Sequence, residues 1–111
     1  MIPRKFRLKK TDIEWVLKKG NQITVDLFIA KFLPALVTPN FAVIVSAKIS
    51  GKAVERNRLK RKIYEAIRQS ALNQKSLPFK IVLIPKKRAL KSDYGEISKG
   101  IEILISKLTK I

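Results

Sequence analysis

Residues 46–62 read SAKISGKAVERNRLKRK, which sets seven cations (Lys48, Lys52, Arg56, Arg58, Lys60, Arg61, Lys62) against one carboxylate, Glu55. The segment opens a helix predicted over 52–73, whose apolar stripe is Leu59, Ile63, Ala66, Ile67 and Ser70. At about 100° per residue, Arg56 and Lys60 point towards the side of Ile63 and Ile67, while Arg58 and Arg61 point elsewhere. Cations on every side cannot lie flat on a core, so the first half of this helix is expected to project past a sheet edge. The placement also opposes the helix dipole. The N-terminal end is positive, and an exposed cation near it is disfavoured by about 0.3–1 kcal/mol. A bound phosphate reverses that sign, because the helix start is itself an anion site. Arg56, Asn57 and Arg58 combine two planar forks, able to hold phosphate bidentately or stack on bases, with an amide that is a poor helix former.

The rest of the chain carries the same bias. Its 111 residues hold 25 Lys+Arg and 8 Asp+Glu, a formal net charge of +17. Eighteen Lys against five Glu is unlike a surface on which the two signs are balanced. Self-repulsion on this scale costs stability and points to a polyanionic partner, nucleic acid first and an anionic membrane second. Absence of Cys removes disulfides, thiolate nucleophiles and Cys-based zinc sites, and absence of His removes the commonest general base and metal ligand. An apolar content of 46% excludes disorder throughout, and the length fits a single domain over 1–111. The N-terminus is basic, but no apolar run of signal length follows it, and runs such as Phe41–Val45 are too short to span a bilayer. The expected location is the cytoplasm, with no membrane association.

Residues 11–19 are predicted as a helix opened by a Thr11–Glu14 capping box, with Ile13, Val16 and Leu17 on one face and Gly20 as its stop. One strand is predicted over 23–33, then a turn bracketed by Pro34, Pro39 and Asn40. A second, nearly all-apolar strand over 41–47 has the composition of a central position. The main helix follows, then a strand over 79–84 stopped by Pro85 and a basic loop, Lys86–Arg88. Asp93 and Glu96 form a capping box for a last helix with the stripe Ile97, Ile101, Leu104, Ile105 and Leu108. The fold class is α/β (α+β), a two-layer sandwich of three helices and a mixed sheet of three to four strands, in the order αβ(β)βαβα.

The stretch Lys48-Ile49-Ser50-Gly51-Lys52-Ala53-Val54-Glu55-Arg56-Asn57-Arg58-Leu59-Lys60-Arg61, following an apolar strand, resembles the hallmark of the protein subunit of bacterial ribonuclease P. Arg7-Leu8 before the first helix, Asp12 to Gly20 within it, and the strand ending at Pro85 before a basic loop extend the likeness over nearly the whole chain. The resemblance implies that a catalytic RNA subunit carries the active centre. The protein would bind that RNA through Lys48, Lys52, Arg56, Asn57, Arg58, Lys60, Arg61 and Lys62. It would hold the 5′ leader of precursor tRNA in a cleft between the first helix and the sheet, with Ile13, Leu17 and Phe28 as candidate cleft residues. It would favour productive Mg²⁺ ions held mainly by the RNA, with no organic cofactor. The resemblance also implies a left-handed β-α-β crossover, against the usual hand. The chain departs from the family pattern at Ile13 and Leu17, where aromatics are usual, at Ala47 in place of Lys, and at Tyr64 in place of Arg.

No catalytic constellation stands out in the protein itself. The four Gly are isolated, so no phosphate loop forms, and no Ser or Thr has a His to pair with. The eight carboxylates are dispersed, unlike a two-metal nuclease, and no metal-binding residues are identified. Two other classes compete: a non-enzymic RNA-binding protein, ribosome-associated or RNA chaperone-like, and a helix-turn-helix DNA binder. The second is disfavoured because the basic helix is flanked by strands, so no DNA partner is expected.

Overall fold

The computed structural model describes residues 7–34, 40–70 and 79–110. The elements are α1 (Lys10–Lys19), β1 (Asn21–Thr24), β2 (Phe28–Pro34), β3 (Asn40–Val43), α2 (Ala53–Ser70), β4 (Phe79–Pro85), a 3-10 helix (Lys87–Lys91) and α3 (Tyr94–Thr109). They form the expected mixed α+β fold, with three helices and one four-stranded sheet in the order β1-β2-β4-β3. β2 runs antiparallel to β1 and β4, whereas β3 and β4 are parallel neighbours joined through α2. Pro39 of the expected turn, and residues 71–73 of the expected main helix, lie outside the described residues.

Alternation along β2 and β4 sorts their side chains onto two faces. Phe28, Ala30 and Phe32, with Phe79, Ile81 and Leu83, join the larger core with α2 and α3. Val82 of β4 lies on the other face, where it meets Val16 of α1, with Leu33 and Ile84 packed around them. α3 reaches the sheet closely at Gly100. A Cβ there would stand 2.9 Å from the Phe28 ring, so the residue is glycine because the ring lies against the helix. The capping box of α3 forms as expected: Asp93 accepts from the Glu96 N–H at 2.9 Å and Glu96 accepts from the Asp93 N–H at 3.2 Å. All five residues of its stripe are buried.

Several sequence expectations are corrected. The single strand over 23–33 is two strands of a hairpin. Its turn is closed by the Val25 N–H on the Phe28 carbonyl at 2.9 Å, with Asp26 exposed between Val25 and Leu27, both buried. The apolar strand beginning at Asn40 is an edge strand, not a central one. It reads as central because both its faces are covered, Phe41 and Val43 by the larger core and Ala42 by the α1 side. Its outer edge also receives the Leu8 N–H on the Phe41 carbonyl at 3.0 Å, beside a bridge from Arg7. The Thr11–Glu14 capping box does not form. The chain leaves that bond at Leu8 and turns directly into helix, so the N-cap is Lys9 and Thr11 is already helical.

Gly20 does follow the end of α1. Its φ of −71° is ordinary, and the need for glycine comes from space: a Cβ would collide with the Val16 carbonyl oxygen and crowd the Phe32 backbone.

Candidate nucleic-acid interface

The start of α2 is fixed by a turn that uses its own polar side chains. The Ile49 N–H donates to the Ser46 carbonyl at 3.1 Å. Ser50 Oγ accepts from the Lys52 N–H at 3.1 Å and donates to Glu55 Oε1 at 2.6 Å. Arg56 Nη1 donates to the Ser50 carbonyl at 2.8 Å. One cation and the sole carboxylate of residues 46–62 are therefore committed to holding the turn. The remaining donors of the Arg56 fork are not used in that contact.

From Ala53 to Arg58 no residue of α2 is buried, and Val54 is 65% exposed. Burial begins at Leu59 and continues through Ile63, Tyr64, Ala66 and Ile67. The first turn and a half of the helix thus stands clear of the core, as its all-round cations require. Lys48, Lys52, Asn57, Arg58 and Arg61 are exposed, and Arg56, Lys60 and Lys62 half-buried. Ion pairs among the described residues are Arg68–Glu65, Lys80–Asp12 and Arg88–Asp26, so no carboxylate neutralises a cation of residues 48–62.

The helix divides these residues between two flanks. Asn57, Lys60 and Arg61 line a recess of about 340 Å³ with Tyr64. Arg58 and Lys62 line another, also about 340 Å³, with Glu55, Leu59 and two residues of the 3-10 helix, Leu90 and Lys91. Tyr64, which stands where the resembled family has Arg, is buried, and its phenol oxygen accepts the Val43 N–H at 3.2 Å. Burial raises its pKa above the ordinary 10.0, with the Val43 bond and the charge of Arg7 acting in the opposite direction.

Lys91, on the lining of the second recess, is a cation that the sequence reading did not single out. Its signal was the run Lys86 to Lys91, which holds no acidic residue. Within that run Arg88 turns away, its Nη1 lying 2.6 Å from Asp26 Oδ1.

The three cleft candidates do not come together. Ile13 and Leu17 are half-buried on α1, beside Val16, Val82 and Ile84. Phe28 is fully buried in the larger core on the opposite face of the sheet, because it has the parity of Ala30 and Phe32. It is therefore not a residue of the α1 face. Two cations of that face hold the helix: Lys31 Nζ donates to the Leu17 carbonyl at 3.2 Å, and Lys80 Nζ to Asp12 Oδ1 at 3.1 Å. Trp15 is 55% exposed.

Carboxylates of the described residues do not converge into an oxygen cage for Mg²⁺. Asp12, Asp26 and Glu65 are paired with cations, Glu55 with Ser50, and Asp93 with Glu96 in a cap. Among the described residues there is no group of three or more His, Cys, Asp or Glu placed to hold a metal ion, and no helix long and apolar enough to cross a membrane.

Comparison with known proteins gives the same answer from sequence and from fold. The ribonuclease P protein component of Idiomarina loihiensis is 38% identical over 73 residues, which span 65% of this chain and 56% of that relative. This chain therefore matches little more than half of that relative's length. The RNase P protein of Thermotoga maritima superimposes with a TM-score of 0.75 at 27% identity, covering 95% of this chain and 96% of the other. The RNase P protein of Staphylococcus aureus shares the fold, with a TM-score of 0.77 at 24% identity over 94% of this chain and 97% of the other. The family model for ribonuclease P matches residues 2–109, and the chain belongs to the ribonuclease P protein family.

Proposed function

We propose that this chain is the protein component of ribonuclease P, the endoribonuclease that removes the 5′ leader of precursor tRNA, and that it works in the cytoplasm as one domain over 1–111. The observation that carries this reading is the free first turn and a half of α2, where cations project beyond the core with no ion-pair partner among the described residues. Lys48, Lys52, Arg56, Asn57, Arg58, Lys60, Arg61 and Lys62 bind the RNA subunit, the forks and ammonium groups acting on backbone phosphates. Anion binding at this end relieves the clash between the cations and the helix dipole.

Precursor tRNA is the second partner. The α1 face offers Ile13 and Leu17 to its leader, on a helix anchored to β2 and β4 by Lys31 and Lys80. Hydrolysis belongs to the RNA and its bound Mg²⁺. The protein's part is to bind, orient and neutralise.

The test is reconstitution. Purified protein is mixed with a bacterial ribonuclease P RNA at low Mg²⁺ and precursor tRNA is added. Protein-dependent leader removal supports the reading. Tight RNA binding with no stimulation of cleavage would favour a non-enzymic RNA-binding protein, and preference for duplex DNA would overturn both.

A further inference from the structure

Trp15 is the only tryptophan of the chain, and it stands 55% exposed on α1. Leaving so large an apolar ring in water is unfavourable, and tryptophan is on average a well-buried residue. Val16, next to it, is fully buried, so the exposure belongs to one face of the helix and not to a loose end. At about 100° per residue, Trp15 lies about 200° round the helix from both Ile13 and Leu17, which pack towards the sheet. The ring therefore occupies the flank of α1 turned away from the face offered to the leader.

The surroundings of the ring are cationic. Lys18 and Lys19, both exposed, follow Trp15 at three and four residues and so stand beside it on the helix surface. On the other side Asp12 is already paired with Lys80 at 3.1 Å. Glu14 is spaced to meet Lys18, whereas Lys19 has no carboxylate three or four residues away in either direction. Among the described residues the other exposed large apolar side chains are Val54 on α2 and Ile103 on α3, so Trp15 has no apolar companion on α1. A protein partner would call for a contiguous apolar patch. An isolated flat ring with ammonium groups beside it suits a single unpaired base, which stacks on the ring while its phosphates meet the lysines.

We propose that Trp15 is a second station for the 5′ leader of precursor tRNA. It stacks an unpaired base upstream of the nucleotides that meet Ile13 and Leu17, and Lys18 and Lys19 take the flanking phosphates. This rests on the assignment of the α1 face to the leader. A helix with its side chains is about 10–12 Å across, so the strand must round α1 to reach the ring, and only a leader with several unpaired nucleotides does so. The station gives a stacking surface to a chain whose leader face is aliphatic at Ile13 and Leu17. Every base has a face to stack, so the contact responds to leader length and not to leader sequence.

A lone tryptophan reports on itself, since its fluorescence is quenched when a base stacks on it. The full chain is assembled with a bacterial ribonuclease P RNA and mixed with two precursor tRNAs, one with a short leader and one whose leader is extended by unpaired nucleotides. Emission is expected to fall on addition of the long-leader precursor and to stay constant with the short one. Trp15→Ala should weaken binding of the long-leader precursor about five- to tenfold with an unchanged salt slope, and leave the short-leader precursor within about twofold. Trp15→Phe, which keeps a ring, should recover most of the loss. Thermal melts establish that both variants fold. Equal affinity of the parent and Trp15→Ala for the long-leader precursor, with leader removal still protein-dependent, overturns the station and leaves the function standing. A loss of the same size for both precursors, or quenching by the RNA subunit alone, also overturns it. Failure of the unaltered protein to tighten precursor binding overturns the leader assignment as well.

Discussion

The ammonium of Lys80 on β4 lies 3.1 Å from the Asp12 carboxylate on α1, joining residues 68 apart in the chain. With the Lys31 contact to the Leu17 carbonyl, it fastens both ends of a ten-residue helix whose only fully buried side chain is Val16. So small an apolar footprint leaves the position of α1 dependent on polar contacts.

Asp12→Asn tests that dependence. Both partners are about one-third exposed, so solvent and salt screen the pair, and its loss costs about 0.5–1 kcal/mol of global stability. Urea titration at low and at molar salt measures it. The deficit is expected to shrink at high salt, and a salt-independent deficit would assign the cost to altered packing.

Arg56 and Arg58 should separate. Arg58→Ala lowers RNA affinity and reduces the salt slope by about 0.7–0.9, with no change in melting temperature, because the side chain is exposed and unpaired. Arg56→Ala should also cost about 0.5–1.5 kcal/mol of stability, since its fork holds the Ser50 carbonyl. Parallel melts and salt-dependent binding distinguish the two, and equal melting temperatures would remove the turn-holding role of Arg56.

Gly100→Ala should destabilise by about 1 kcal/mol. Crowding of a packed ring costs about 1–3 kcal/mol, and the gain in helix propensity returns about 1. Phe28→Leu in the same chain should recover part of the loss, as the added methyl stands 2.9 Å from the Phe28 ring. A double-mutant cycle measures this, and strict additivity would show that the ring is not what Gly100 accommodates.

Tyr64 gives a pH dependence with a definite sign. Its folded pKa is raised above 10.0, so above that pH the unfolded chain holds fewer protons than the folded one. Stability is unaffected by this group below pH 10 and falls as pH rises through the folded value. Tyr64→Phe should flatten that alkaline fall relative to the parent, at a cost of about 1–3 kcal/mol at neutral pH from the lost acceptor of the Val43 N–H. Urea titrations of both proteins across the alkaline range test it, with identical slopes as the contrary result.

Ile13→Phe should tighten binding of precursor tRNA by about 1 kcal/mol or more, through stacking of a leader base on the new ring. Affinity for leaders of graded length measures the gain. No dependence on leader length would count against a leader site on α1.

What could be read from the chain was what neighbouring residues decide among themselves. The Asp93–Glu96 cap and the stripe of α3 needed no tertiary partner, and the cations ahead of Leu59 already required a projecting helix. What escaped was decided from a distance. Asp26 gave too weak a turn signal because Val25 and Leu27 both point inward, so a hairpin looked like one strand. β3 looked central because both its faces are covered, Phe41 and Val43 on one side and Ala42 on the other. The Thr11–Glu14 box was pre-empted by the bond at Leu8. At the site, Phe28 was misplaced by the parity of its strand. Lys91 was not singled out because only folding brings it to the same recess as Arg58.

Since the inward-facing stripe of α2 starts at Leu59, and Glu55 and Arg56 hold the turn before it, Ala53, Val54, Asn57 and Arg58 can be rewritten with little consequence for the interior. A protein with acidic side chains at Asn57 and Arg58 should fold to the same shape and yet repel polyanions at that end. Such a molecule would keep its α1 surface and serve as a decoy, separating what that surface does alone from what the whole assembly does.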